Sequence, residues 1–484
     1  MSSIIHRWSL SDKLSRLRGR EVHRYAAMEQ PLRSVLFSAE QMREHGRILA
    51  GSHMVGLKRV SGRVLLMTRL AENEVVLLNV RTMLAEAIKV NRRITPAGEW
   101  LLDNFYLIEE QIRTARRHLP KGYSRELPRL IRGPSAGLPR VYDIALETIS
   151  HGDGRVDPES LGSFVAAYQS VSILKLGELW AIPIMLRLAL IENLRRVASR
   201  IASDMAEQNR ADHWADRMIE TAEKDPKNLI LVIAEMVRSD PPMVSSFVAE
   251  LARRLQGQSS DLALPLTWIE QRLSESGSTI QQLVHSEIQQ QAADQVSISN
   301  SFGSLRFLSA MDWHEFVETM SVADQILGED PGGFYRKMDF TTRDRYRHVI
   351  EEIARESGLS ETEVARKAIL LSQEGAAERG GGDRAAHVGY YLVDKGLDRL
   401  EQSAGVRISA SKALQNAIRR FPLLMYTGSI MLLSAMFACG LLLLTGESEL
   451  RGWLFWLFII ISFLCATHLS VALVNWAVTL LAVP

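Results

Sequence analysis

Cysteine is almost absent from this 484-residue sequence, which contains only Cys439 and Cys465. Both lie in long apolar runs near the C-terminus, so we predict neither a disulfide framework nor a cysteine-based zinc site. An excess of either charge is also missing, because 57 basic residues stand against 56 acidic residues and the formal net charge is +1. A dedicated nucleic-acid-binding protein normally carries a basic excess or stripe. We therefore expect no nucleic-acid partner.

The common catalytic and phosphate-binding motifs are missing as well. The sequence has no Gly-x-Gly-x-x-Gly, Walker loop or His-Glu-x-x-His. It also has no Asp-x-Asp pair of the kind that many nucleotide-sugar transferases use to hold a divalent metal. The basic N-terminus, MSSIIHRWSLSDKLSRLRGREVHRY, lacks the apolar core of a cleavable signal peptide. We assign no catalytic, cofactor-binding or metal-ligating residue, and we expect no cofactor in this span.

Two long apolar runs are the most prominent feature that is present. Phe421–Leu444 contains no Asp, Glu, Lys, Arg or His, and in Trp453–Val483 only His468 can titrate. A helix that crosses a bilayer needs roughly 20 apolar residues, and it satisfies its backbone polar groups internally. The runs predict two transmembrane helices, at 421–444 and 453–483, joined by a loop at 445–452.

The distribution of Lys and Arg predicts the orientation of this hairpin. Four basic residues precede the first run: Arg407, Lys412, Arg419 and Arg420. The connecting loop carries two acidic residues and one basic residue: Glu447, Glu449 and Arg451. Lys and Arg concentrate on the cytoplasmic side of membrane helices. We therefore expect a multi-pass protein whose large N-terminal region is cytoplasmic and whose loop lies on the opposite side.

The rest of the sequence shows helical periodicity. In Val64–Lys89 apolar residues recur at intervals of three and four, as in an amphipathic helix or a pair of helices. Capping residues indicate four helix starts, at Thr95-Pro96, Asp157-Pro158, Asp240-Pro241 and Ser360. The alternation and Asn-Gly turns of sheet proteins are nearly absent. We predict an all-α fold, with a multi-helix cytoplasmic region followed by the two-helix transmembrane hairpin.

Composition suggests how the helical region divides. We predict an N-terminal helical segment at 1–90, a helical domain at 91–256 and a second helical region at 257–420. Gln256–Ser260 is typical of a loop, and Gly375–Asp383 is the most flexible stretch by composition. The glutamine-rich Ile280–Gln295 is predicted to form a polar helix.

Leu174–Leu194 resembles a third membrane span but is interrupted by charge. Four ionisable residues fall within it: Lys175, Glu178, Arg187 and Glu192. Each would be costly at membrane depth. We favour a buried core helix kinked at Pro183, with a helix lying on the membrane surface as the alternative.

Three segments are weak candidates for chemistry. His151–Asp157 resembles part of a calcium loop but lacks its alternating oxygen ligands, so we favour a glycine-rich turn that leads into the Asp157 cap. Asp212 and Asp216 flank His213, and we interpret this segment as a solvated helix start. Gly380–Gly382 could cradle phosphate, although no lysine or helix start follows it.

The second apolar run contains a polar pair. His468 and Asn475 are seven residues apart and therefore lie on one helix face, two turns from each other. Polar groups within a span usually face other protein rather than lipid. Packing against other membrane helices is the favoured interpretation, and contact with a transported polar substrate is the alternative.

Long segments of the sequence carry a resemblance to a known family. They are Ile94–Leu130 (ITPAGEWLLDNFYLIEEQIRTARRHLPKGYSRELPRL), Gly137–Ser172, Ser304–Ile369 (beginning SLRFLSAMDWHEFVETMS), His387–Gly396 (HVGYYLVDKG) and the final ALVNWAVTLLAVP. They resemble the N-terminal region of bacterial cyclic β-1,2-glucan synthases and the helices that lead into the glycosyltransferase module of that family. The resemblance extends from about residue 90 to the end.

This resemblance implies part of a large enzyme of the bacterial inner membrane. The family takes glucose from UDP-glucose in the cytoplasm, extends a β-1,2-glucan, cyclises it and delivers it to the periplasm, which would make the loop at 445–452 periplasmic. We expect this chain to be truncated before the transferase module and inactive alone. Its expected partners are the lipid bilayer, the glycosyltransferase module or further membrane helices, and glucan.

Two classes of function remain open. The chain is either a regulatory or scaffolding portion of such a synthase or a self-contained, membrane-anchored adaptor. In the first case five aromatic residues are candidate sugar-stacking surfaces, although core packing is the commoner role: Trp100, Phe105, Tyr106, Tyr123 and Tyr142.

Overall fold

The structure, a computed structural model, describes residues 31–56, 65–119, 127–406, 422–444 and 453–481. These residues form nineteen α-helices and a single two-stranded sheet, so the all-α prediction is confirmed. The chain divides into two compact units. The first unit runs to Glu329 and includes Arg336–Arg347, and the second comprises Asp330–Tyr335 and the residues from His348. The division at residues 90, 256 and 420 stays a prediction.

Among the described residues, the first unit contains thirteen α-helices. They are α1 (Ala39–Ser52), α2 (Leu65–Lys89), α3 (Pro96–Asp103), α4 (Phe105–His118), α5 (Arg140–His151), α6 (Pro158–Gln169), α7 (Leu176–Lys224), α8 (Leu229–Arg238), α9 (Ser245–Leu255), α10 (Ala263–Ser274), α11 (Ile280–Ala310), α12 (Trp313–Met320) and α13 (Val322–Leu327). Strands β1 (Val55–Gly56) and β2 (Arg129–Leu130) pair antiparallel, with Val55 opposite Leu130. Short 3₁₀ turns at Pro226–Asn228 and Ser260–Leu262 connect helices.

The remaining helices follow in chain order. They are α14 (Phe340–Ser357), which begins in the first unit and ends in the second, α15 (Glu361–Arg379), α16 (Val388–Val393), α17 (Leu397–Ala404), α18 (Pro422–Leu444) and α19 (Trp453–Leu481). In the second unit α15, α16 and α17 pack together, and α18 packs against α19.

Three of the four predicted helix starts are confirmed by their caps. The side chains of Thr95, Asp157 and Ser360 accept hydrogen bonds from the first-turn amides at 3.2, 2.9 and 3.2 Å. The start at Asp240 was wrong, because α9 begins only at Ser245. Asp240 lies in the left-handed region at φ 44°, and the consecutive prolines after it disfavour helical geometry in the residues that precede them.

The predicted buried helix at 174–194 is the first part of a much longer element. Helix α7 runs for 49 residues and continues through Pro183. The side chains of Glu178 and Glu192 are fully buried, so the core-helix interpretation is confirmed. Asp212 and Asp216 lie well inside this helix, and the predicted helix start there was wrong. Residues four apart share a helix face, and both carboxylates pair with Arg254 of α9.

Helix α7 organises two hydrophobic clusters in the first unit. Its N-terminal part, with α2, α5 and neighbouring helices, forms a large cluster that includes Leu190 and Met205. Its C-terminal part packs with α8, α9 and α10 in a smaller cluster that includes Ala211 and Met218. One continuous helix therefore contributes to both apolar cores.

The predicted polar helix and the first of the two predicted loops are confirmed, whereas the second loop is partly helical. Ile280–Gln295 is helical, as the beginning of α11, and Gln256 follows the end of α9 as predicted. The first half of Gly375–Asp383 was wrongly predicted to be flexible, because α15 continues to Arg379. Gly375 lies within this helix, where the absence of a Cβ atom lets the carbonyl group of Ala385 approach closely.

Within the described ranges, we find no helix that combines the length and the hydropathy needed to cross a bilayer. The structure therefore does not support the predicted transmembrane hairpin.

Candidate functional site

A cavity of about 450 Å³ lies in the first unit, beside the turn that joins α5 to α6. Apolar residues of α1, α6 and the segment before α1 form much of its wall. Its polar lining includes His151, Asp153, Arg155, Asp157 and Asn300. The cavity therefore combines an apolar wall with charged groups of both signs, a composition typical of small-ligand sites.

The glycine-rich turn at the edge of this cavity is bound tightly to α11. Gly154 has φ +79°, and a Cβ atom there would collide with the Ser301 hydroxyl. The Ser304 hydroxyl donates to Gly154 O at 2.8 Å and accepts from Val156 N at 2.9 Å. Asp157 caps α6 as predicted. The turn interpretation of His151–Asp157 is thus confirmed.

A charged network continues from this turn into α7 and α11. Arg33 lies 3.2 Å from Asp153 and 2.9 Å from the buried Asp294, which also accepts from Arg200 Nε at 3.1 Å. Burial and the positive charge of Arg33 lower the pKa of Arg200 to about 10. One turn further along α7, burial and the charge of Glu287 raise the pKa of Asp204 to about 6.

Next to the cavity, His151 also belongs to a cluster with His45 and Glu147. The Nε2 atom of His45 lies 2.8 Å from Glu147 Oε2, and the Nε2 atom of His151 lies 3.3 Å from the same oxygen. Sequence reasoning considered His151 only as part of a calcium loop and did not identify the other two residues. The i, i+4 spacing of Glu147 and His151 was a usable signal, but His45 is 102 residues from Glu147.

Buried ion pairs join α7 to its neighbours. Glu178 accepts two hydrogen bonds of 2.7 Å from Arg140 of α5. Glu192 accepts from Arg69 of α2 at 2.8 and 3.0 Å. Burial alone would raise the pKa of Glu192, but Arg69, Arg195 and Arg196 together hold it far below its usual range. The charges that interrupt the apolar sequence of α7 are therefore partners for other helices.

The predicted polar pair His468 and Asn475 lies on α19. Asn475 Oδ1 accepts a hydrogen bond of 2.9 Å from the Tyr426 hydroxyl of α18, whereas His468 is exposed. The role proposed for this pair stays a prediction. Gly380 ends α15 with φ +87°, and Gly381 and Gly382 follow it in the turn before Arg384–Ala386.

The five aromatic candidates separate by burial. Phe105 and Tyr142 are core residues, whereas Trp100 and Tyr106 are exposed on α3 and α4. Tyr123 lies outside the described residues. Of the five, Trp100 and Tyr106 are thus the described side chains with surface available for stacking.

No protein-family model matches the sequence. The chain is 33% identical over 408 residues to cyclic beta-(1,2)-glucan synthase NdvB of Rhizobium meliloti (strain 1021). The chain is similar to part of a cyclic β-1,2-glucan synthase. This match confirms the resemblance seen in the sequence. It covers 83% of the chain but only 14% of the length of the synthase.

Proposed function

We propose that this chain is a scaffolding and membrane-anchoring portion of a cyclic β-1,2-glucan synthase. The observation that carries the proposal is the 33% identity to the Rhizobium meliloti synthase over 408 residues. In this proposal the complete enzyme polymerises glucose from UDP-glucose and cyclises the glucan. The present chain holds the glycosyltransferase module or further membrane helices in position and depends on them for glucose transfer.

The buried ion pairs of the first unit support a scaffolding role. Glu178 and Glu192 have exposed fractions of 0% and are paired with arginines from α5 and α2. A buried carboxylate is tolerated only with its partners in place, so each pair fixes one arrangement of α7 against its neighbours. A rigid helical array of this kind suits a surface on which another module docks.

The apolar helices α18 and α19 support membrane anchoring. Leu423, Leu432 and Trp453 have exposed fractions of 79, 74 and 73%, and exposed apolar surface on this scale marks an interaction or membrane surface. Ser434 and Ser470 are buried, and small residues are common where membrane helices pack. We propose that the pair lies in the inner membrane, with the N-terminal region cytoplasmic.

Membrane anchoring is tested by expressing the full chain in bacteria and extracting membranes with alkaline carbonate. We expect the full chain to stay in the pellet, and a variant that ends at Val406 to be released. Release of the full chain would contradict membrane insertion. Recovery of both forms in the pellet would assign membrane attachment to another part of the chain.

The scaffolding role is tested with labelled UDP-glucose. We expect membranes that contain only this chain to incorporate no glucose into β-1,2-glucan. Co-expression with a synthase variant that lacks the matched region is expected to restore incorporation. Glucan synthesis by the chain alone would contradict its dependence on a transferase module. Stable co-expression without restored synthesis would favour the alternative of a membrane-anchored adaptor.

A further inference from the structure

The cluster of His45, Glu147 and His151 has the composition of a metal site. His45 lies on α1, and Glu147 and His151 lie one turn apart on α5. Each side chain offers one ligand atom, and these atoms all lie within 4.8 Å of one another. All three residues are partly buried, so the ligand atoms are shielded without being sealed from solvent.

The hydrogen bond of His151 to the backbone directs its lone pair toward Glu147. Its Nδ1 atom lies 2.8 Å from the carbonyl oxygen of Val35. A carbonyl oxygen only accepts, so Nδ1 carries the proton. In the neutral form of the ring, the unprotonated Nε2 atom faces the Glu147 carboxylate, 3.3 Å away. Two acceptors that face each other require a cation between them or a second proton on the ring.

This arrangement is also the one that orients histidine ligands in metalloproteins. A ligating imidazole usually donates its other N–H to a carboxylate or backbone carbonyl, which fixes the tautomer and the ring orientation. The Val35 carbonyl has this role for His151. The backbone amide of Phe37 in turn donates to His151 O at 3.3 Å, so the segment before α1 is attached directly to the end of α5.

Aromatic packing holds both imidazole rings in place. The Phe37 ring stacks on His151 with a centroid distance of 3.8 Å and an angle of 9°. The Phe164 ring of α6 lies nearly parallel to His45 at 6.2 Å. Gly46 allows this approach, because a Cβ atom there would lie 3.0 Å from the Phe164 ring. The ligand atoms are therefore preorganised by packing that does not depend on a metal.

We propose that His45, Glu147 and His151 bind a divalent transition metal, with Zn²⁺ as the preferred ion. Two imidazole nitrogens and one carboxylate oxygen form one of the known ligand sets of three-residue zinc sites, in which water or another ligand takes the fourth position. The bound ion would join α1 to α5 at the margin of the cavity that His151 lines. The sequence predicted no metal ligand, and the site is recognisable only because the tertiary structure brings the three residues together.

The proposal is tested by titrating the purified full chain, in detergent and free of metal, with Zn²⁺ in a calorimeter. We expect one site per chain, with affinity reduced more than about 100-fold by His45→Gln, because a lost ligand should exceed the loss from a second-shell partner. The matched control is His285→Gln, an exposed histidine on α11, which should leave the affinity unchanged. Cobalt substitution should give the visible absorption spectrum of a tetrahedral site.

Glu147→Gln distinguishes loss of the metal site from loss of folding, because it preserves the size and hydrogen bonding of the side chain while removing the anionic ligand. We expect this variant to fold, as judged by circular dichroism, and to lose Zn²⁺ binding and the rise in melting temperature that zinc gives the parent chain. Zinc affinity unchanged by both His45→Gln and Glu147→Gln would overturn the proposal. So would an equal loss of affinity in His285→Gln.

Discussion

At the residue scale, two buried carboxylates of α7 are each paired with an arginine of another helix. Glu178 and Glu192 were recognisable as interruptions of an apolar run, and their cost in a membrane argued for a protein core. Their partners, Arg140 and Arg69, are 38 and 123 residues away in the chain. No local pattern relates residues so far apart, so the pairing emerges only when the helices pack.

Removing the charge of Glu178 should strongly destabilise the first unit. In Glu178→Gln the Arg140 guanidinium stays buried without its counterion, and breaking a buried pair costs about 3–5 kcal/mol. The free energy of unfolding from urea denaturation measures the loss. Glu220→Gln, which breaks the exposed pair with Lys224, is the control and should cause no measurable change. Equal stability of the two variants would show that the Arg140–Glu178 pair is not critical.

Asp204 should make stability depend on pH. Its pKa is raised from 3.8 to about 6 in the folded protein, so the folded state holds this proton more tightly than the unfolded chain. The resulting stabilisation is fully present below about pH 3.8 and is lost as the pH rises through about 6. Above that range the ionised carboxylate destabilises the folded state, and Asp204→Asn removes this charge.

The prediction concerns the free energy of unfolding of Asp204→Asn minus that of the parent chain. We expect this difference to be up to about 3 kcal/mol larger at pH 7.5 than at pH 4, since a shift of one pKa unit corresponds to 1.36 kcal/mol. Unfolding in urea at the two pH values measures the gain. Asp398→Asn, at an exposed position of α17, should show no such difference. A gain that is the same at both pH values would contradict the raised pKa.

At the element scale, helix ends were predictable where a side chain caps the first turn. The helix starts predicted at Thr95, Asp157 and Ser360 were correct, because a capping hydrogen bond joins residues only three apart. Asp240 was wrong because proline was treated as a sign of the first turn, whereas here two prolines delay the helix. The segment from Gly375 was wrongly predicted to be flexible for a related reason, since glycine occurs both in flexible segments and at close packing contacts.

Gly375 should be required for the packing of α15. A Cβ atom at this position would overlap the Ala385 carbonyl and the Tyr391 hydroxyl. We expect Gly375→Ala to destabilise the second unit by about 1–3 kcal/mol, the usual cost of overpacking, despite the better helix propensity of alanine. Gly381→Ala has open space around it and should be neutral. Thermal denaturation of both variants provides the measurement, and a melting temperature raised by Gly375→Ala would refute the close contact.

At the scale of the whole molecule, α7 links two apolar cores within the first unit. Met205 belongs to the larger cluster and Ala211 to the smaller one, so Arg210 lies at the junction. Its side chain is partly exposed and pairs with Glu207 at 3.2 Å. A break in the helix at this position should separate the two cores without removing apolar contacts from either.

We expect Arg210→Pro to interrupt α7 at this junction, because an interior proline costs about 3 kcal/mol and removes a backbone hydrogen bond. In hydrogen exchange, the amides of α8, α9 and α10 should lose protection while those of α5 keep theirs. Arg210→Ala removes the same ion pair but keeps the helix, and it should change neither group. Uniform loss of protection in Arg210→Pro would show that the two cores unfold as one.

The amino-acid sequence alone was enough to predict the helical class, most of the capped helix starts and the resemblance to cyclic β-1,2-glucan synthases. Periodicity and capping are local properties of the chain. Long segments that match a family can likewise be recognised without knowledge of the fold. The packing of the helices sets which charges meet in the core, and it places His45 of α1 beside Glu147 and His151 of α5. Such groupings arise from the packing of distant helices, which the spacing of residues along a chain does not encode.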